Sequence, residues 1–138
     1  MAAASVVHSR LQVNLAHELR KTTDYAVYSE LTIVVDGEEY KPDLCAYSYR
    51  DVDWKHDVVR TTELPLLAIE IVSPRQTIQE VVEKIDLYLK AGIQSCWLIV
   101  SYPRTITIYS GPTEQVFTSG DLIDKTLNIK IAIQDVFR

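Results

Sequence analysis

The chain has 138 residues, 47% hydrophobic and 24% charged, a balance that fits a folded globular protein and excludes disordered, collagen-like and coiled-coil classes. Its formal net charge of −5 at pH 7 is not the basic footprint of a protein that grips nucleic acid tightly and without specificity. A nuclease stays open, because acidic metal ligands lower the formal charge and bound cations restore local positive potential.

Residues 5–21 carry Val7, Leu11, Leu15 and Leu19 at four-residue spacing, with Arg10, Glu18, Arg20 and Lys21 away from that stripe, which predicts an amphipathic helix capped by Ser5. Over 25–35, Tyr25, Val27, Ser29, Leu31, Ile33 and Val35 alternate with other side chains. That pattern predicts one strand, turning at Asp36-Gly37 and returning through 40–47 as a hairpin. Pro42 at the entry of the return strand places the regular ladder beyond it or at an edge. Residues 48–63 read as a polar insertion of open structure and role, with Trp54 its lone tryptophan. The nearly continuous apolar run 64–72 predicts a central strand covered on both faces, ended by Ser73-Pro74.

Helical spacing of Ile78, Val81, Val82, Ile85, Tyr88 and Leu89 predicts a helix over 77–91, with Gly92 as its C-terminal cap. Together with a strand at 96–100 this makes a βαβ-like unit. Runs at 105–109, 115–118 and 127–133 read as antiparallel trim. One domain over 1–138 is expected, with an α/β fold. The longest apolar run has nine residues, far short of the roughly 20 of a membrane helix, and residues 1–8 show no secretory pattern. A cytoplasmic protein without a membrane segment is therefore expected. Cys45 and Cys96 sit in apolar strand-like runs and read as buried thiols rather than a disulfide framework.

Two carboxylates stand in odd places. Asp43 follows Pro42 at a strand start, and Glu70 interrupts the most apolar strand. A buried carboxylate changes protonation state, finds a partner or binds a metal. If the two strands pair, Asp43 and Glu70 converge at one sheet edge and offer hard oxygen ligands to Mg²⁺, with the Ile71 carbonyl as a third. Lys84 lies at the margin of its helix's apolar stripe, where its stem reaches toward the strand end. Plainer roles exist for each: Glu70 as a structural ion pair, Lys84 as an i, i+4 partner of Glu80, Tyr88 as core packing. Neither a zinc-ligand cluster nor a glycine-rich phosphate loop is visible, and neither cysteine has the spaced partners of a nucleophile.

Pro42-Asp43-Leu44, Ile69-Glu70-Ile71-Val72-Ser73-Pro74, Glu83-Lys84 with Tyr88, Ala91-Gly92-Ile93 and Cys96-Trp97-Leu98-Ile99-Val100 together resemble the restriction-endonuclease-like Uma-two family, whose members look like PD-(D/E)XK nucleases. The resemblance spans roughly residues 8–137. It implies a restriction-endonuclease-like mixed central sheet flanked by helices, and Mg²⁺- or Mn²⁺-dependent hydrolysis of DNA. Asp43 and Glu70 would be metal ligands and Lys84 the catalytic cation. The wider pattern puts that lysine two residues after the second acid, where this chain has Val72. The resemblance therefore implies a lysine moved to the following helix. His8, Glu30 and Tyr88 are accessory candidates, and a homodimer suits cleavage of two strands. The rival expectation is a nuclease-fold protein without catalysis that binds a protein or nucleic-acid partner; a plain structural subunit is a third.

Overall fold

The computed structural model describes residues 5–138; residues 1–4, part of the N-terminal stretch weighed above for a secretory pattern, lie outside them. Helix α1 (Val6–Thr22) starts at Ser5, whose hydroxyl accepts from the His8 N–H at 3.0 Å, and ends with Arg20 and Lys21 in its last turn, where cations suit the helix dipole. Leu11, Leu15 and Leu19 are buried, as the stripe predicts, but Val7 is half exposed. Glu18, expected on the outer face, is buried as well. It lies seven residues after Leu11 and three after Leu15, which is the same face of a helix, and its carboxylate turns toward the Lys21 ammonium at 3.4 Å.

The single strand predicted over 25–35 is in fact two. Strand β1 (Ala26–Ser29) ends at Glu30, whose φ of 53° lies in the left-handed region and breaks the extended run. Beyond it, β2 (Ile33–Val35) and β3 (Glu38–Tyr40) form their own hairpin. Its turn residues Asp36 and Gly37 both have positive φ, 51° and 81°, as a two-residue hairpin of the favoured twist requires. The return strand β4 (Leu44–Tyr47) pairs not with β2 but with β1, antiparallel, Ala26 opposite Tyr47 and Ser29 opposite Leu44.

Strand β5 (Leu67–Ile71) is buried throughout and runs between β4, antiparallel, and β6 (Ser95–Val100), parallel. The parallel pair is bridged by α2 (Ile78–Ala91), capped by Thr77 at its start and by Gly92, φ 113°, at its end. Strands β7 (Thr105–Ser110) and β8 (Thr113–Phe117) extend the sheet by antiparallel pairing, giving the order β1-β4-β5-β6-β7-β8. The 127–133 run divides into β10 (Ile129–Ala132) and a short helix α3 (Ile133–Val136). Strand β9 (Asp121–Asp124), which the sequence reading did not foresee, pairs with β10 off the main sheet. At its turn Asp124 accepts from the Leu127 N–H at 3.1 Å and the Trp97 indole at 2.9 Å. The 48–63 insertion contains no named strand; it is pinned where Thr61 bridges Ile33 and where the Tyr47 hydroxyl donates to the Glu63 carbonyl at 2.7 Å.

The mixed α/β sheet thus has two apolar layers. Leu67, Ile69, Ile71, Trp97 and Ile99 pack with α1, β10 and α3, whereas Ala68, Cys96 and Leu98 pack with α2 and with Ile33 and Val35 of the small hairpin. Alternation along β5 and β6 sends successive side chains to opposite layers, so Glu70 points with Ala68 toward α2. Cys45 and Cys96 are buried free thiols. No helix among the described residues is long and apolar enough to cross a membrane.

Candidate active site

Asp43 immediately precedes β4, and Glu70 is the penultimate residue of β5. The antiparallel register, Leu44 opposite Ile69, carries both to one end of the sheet, as pairing of their strands predicts. Asp43 Oδ2 accepts from the Ile71 N–H at 2.7 Å, and Oδ1 lies 3.0 Å from His8 Nε2. Glu70 Oε1 faces the Lys84 ammonium at 3.3 Å, and Oε2 accepts from the Tyr88 hydroxyl at 2.9 Å. One sheet face supplies His8 from α1 and the other supplies Lys84 and Tyr88 from α2, so the site is closed by a helix on each side of the strand ends.

Lys84 therefore reaches the strand carboxylate; the plainer pairing with Glu80 is not the one formed. Tyr88 is buried in the α2 layer, edge-on to Tyr40 with ring centroids 5.9 Å apart, and its hydroxyl serves Glu70. Glu30 comes near by its backbone: its N–H donates to the Asp43 carbonyl at 3.2 Å. Its exposed carboxylate meets Gln12 at 3.4 Å rather than the two acids. Gln12 was missed in the sequence. Its amide donates to the same Asp43 carbonyl at 3.0 Å, so two donors hold the residue's backbone. The available signal was its place one helical turn after His8, on the same face of α1.

Burial dominates the electrostatics. The Glu70 carboxyl is pushed up to about 7, first by desolvation and then by the nearby Asp43 charge, against the pull of Lys84 and Tyr88. Asp43 is also raised by burial, with the Ile71 N–H and His8 acting the other way. Burial and the Glu70 charge hold the Tyr88 phenol far above its ordinary value, so it stays a proton donor. His8 Nδ1 is buried and has no hydrogen-bond partner among the described residues.

Two raised carboxylates that repel each other form a place where added positive charge is stabilising. Among the described residues no three His, Cys, Asp or Glu side chains gather as a metal-holding group, which does not suit the three or four protein ligands of zinc. The set does suit Mg²⁺, which takes one or two carboxylates and retains waters. Each carboxylate oxygen has a second lone pair beyond the bond it already accepts. The Ile71 carbonyl points to the same strand edge as its N–H, the edge where Asp43 lies.

Comparison with known proteins agrees with this architecture. The crystal structure of a putative nuclease belonging to DUF820 from Anabaena variabilis ATCC 29413 superposes with a TM-score of 0.80 over 99% of this chain and 83% of that one, at 21% identity. That likeness establishes the fold. No curated protein matches the chain. The model of the Uma2 (Uma-two) family, described as "Putative restriction endonuclease", matches residues 1–134, nearly the whole length, and the chain belongs to that family.

Proposed function

We propose that residues 1–138 form one nuclease-like domain that hydrolyses DNA phosphodiester bonds with the help of Mg²⁺ or Mn²⁺. The supporting observation is the pair of carboxylates at the end of β4 and β5, Glu70 buried and Asp43 partly so, both titrating above their ordinary range, with Lys84 beside them. Asp43, Glu70 and the Ile71 carbonyl are the ligands of this reading. A bound divalent ion supplies an activated water and stabilises charge on the transferring phosphate.

The remaining chemistry belongs to the chain. Lys84 orients the attacking water and offsets phosphate charge from α2, standing in for the lysine that the wider pattern places at Val72. The Tyr88 hydroxyl keeps one Glu70 oxygen fixed while the other stays with Lys84. His8 and Gln12 are positioning residues: one holds the Asp43 carboxylate, the other its carbonyl. Glu30 steadies Gln12. One such site cuts one strand, so a homodimer with twofold symmetry accounts for duplex cleavage.

A second reading has its own support. Both Glu70 oxygens already accept from a protein donor, so the site is satisfied without a metal, as in a nuclease fold kept for binding alone. Calorimetry with Mn²⁺ and Mg²⁺ on wild type, Glu70→Gln and Asp43→Asn, with plasmid nicking assayed on the same samples, separates the two. Metal binding and nicking that both vanish in the variants support the nuclease. No binding at millimolar metal sinks it and leaves the binding module.

A further inference from the structure

Two cavities of about 570 and 510 Å³ lie side by side, sharing Val6, Val7, Ser101 and Tyr102 as walls, and we read them as one groove. At one end lie His8 and Val72, beside the two carboxylates; at the other lie Arg10, Arg104 and Arg138. The chain carries 19 acidic residues against 14 lysines and arginines, yet none of the acidic ones lines this groove. Of the four arginines elsewhere, Arg50 pairs with Glu63 and Arg60 with Glu39, while Arg20 and Arg75 have no acidic partner among the described residues and do not gather in one groove. Among the described residues no Asp or Glu pairs with Arg10, Arg104 or Arg138. Their contacts are of another kind: the Arg104 guanidinium lies 5.6 Å from the centroid of the Phe137 ring, and Arg10 donates to the Arg138 main-chain oxygen at 3.4 Å. Between the basic end and the carboxylates stands Tyr102, 87% exposed.

Guanidinium groups without an Asp or Glu partner match phosphate oxygens in charge and in fork geometry. An exposed ring among them offers a stacking face for a base that has left its duplex. We propose that this groove is the track along which a single nucleic-acid strand reaches the carboxylates, its backbone phosphates held by Arg10, Arg104 and Arg138 and one unpaired base stacked on Tyr102. The assignment rests on the nuclease reading for its direction toward Asp43 and Glu70. It also explains how a molecule of net charge −5 holds a polyanion: the attraction is local, along one groove.

The test measures binding alone, in EDTA, by fluorescence anisotropy of a short labelled DNA single strand and the duplex of the same length, between about 50 and 200 mM salt. Arg10→Glu/Arg104→Glu is compared with Lys55→Glu/Lys125→Glu, which changes the charge equally outside the groove. The groove variant is expected to weaken single-strand binding at least tenfold and to flatten the log–log salt dependence by roughly 1.5 to 2, while the control stays within about twofold of wild type. Tyr102→Ala, at an exposed position, is expected to lose about tenfold on the single strand and less on the duplex. Groove and control variants that bind alike overturn the track, as does a wild type that binds neither DNA. An equal effect of Tyr102→Ala on both DNAs, or none, overturns the stacked base. Because no metal is present, these failures are distinct from failure of the nuclease reading, which shows as no binding of Mn²⁺ or Mg²⁺ at millimolar concentration.

Discussion

Glu70 is the side chain on which most of the site turns, and its titration has a defined sign. A glutamate with ordinary solvation titrates near 4.5, whereas in the folded, metal-free protein Glu70 is pushed up to about 7. Between those values the folded state holds a proton that the unfolded chain releases, so stability falls as pH rises from about 4.5 through about 7. Urea midpoints in EDTA at several pH values are expected to show wild type declining across this window relative to Glu70→Gln. A parallel course of the two proteins contradicts the buried-acid account. Mg²⁺ affinity is expected to rise over the same window, since the ion competes with the proton. Tyr88→Phe removes the donor to a buried carboxylate oxygen and is expected to cost about 1–3 kcal/mol in chemical denaturation. Asp43 and Glu70 stood out as candidates in the sequence because a carboxylate at a strand start or inside an apolar strand needs a reason, and Lys84 because it lies at the margin of its helix's apolar stripe. Gln12 was not, because its role is to hold a backbone carbonyl 31 residues away, and a glutamine on a helix surface looks ordinary.

At the scale of elements, the bounds and caps of the two long helices followed the sequence pattern, Val7 and Glu18 apart, and strand patterns did so only in part. For α1 and α2, side-chain spacing, caps and the Gly92 exit all act within one segment, so local chemistry decides both ends. Leu15 is fully buried in the α1 layer, and Leu15→Ala is expected to lower stability by about 2–5 kcal/mol in urea denaturation. The first hairpin shows the opposite case. Alternation through 25–35 is compatible with one long strand, but β1 and β2 have different partners. The positive φ of Glu30 separates them, and its N–H is used by the Asp43 carbonyl. Strand β9 is similarly invisible in advance: only Leu122 and Asp124 are buried in it, and Asp124 owes its place to the Trp97 indole. Gly37 sits at φ 81° with open space around its Cα. Gly37→Ala is therefore expected to cost about 1 kcal/mol through backbone strain alone, read as a small drop in melting temperature with the Asp43 and Glu70 contacts unchanged.

Across the whole molecule, the central strands carry both thiols to one face of the sheet, Cys45 and Cys96 each standing in register with Ala68. Cys45 is pushed up to about 12 by burial, and Cys96 is raised by burial and the Glu70 charge. Neither is expected to react with an aromatic disulfide reagent at neutral pH until the sheet opens, so labelling of both is expected to follow global unfolding with one rate. Rapid labelling of either thiol in native buffer contradicts the packing. Composition, the helical stripes, the caps, the Asp36-Gly37 turn and the buried run around Glu70 needed only local information, because periodicity and backbone preference act over a few residues. Which strands are neighbours, that Asp43 and Glu70 share one sheet end, that α1 lends His8 and Gln12 while α2 lends Lys84 and Tyr88, and that three arginines line one groove were decided by tertiary structure. These are meetings between residues far apart in the chain, and their geometry comes from the burial of two apolar layers against a single sheet.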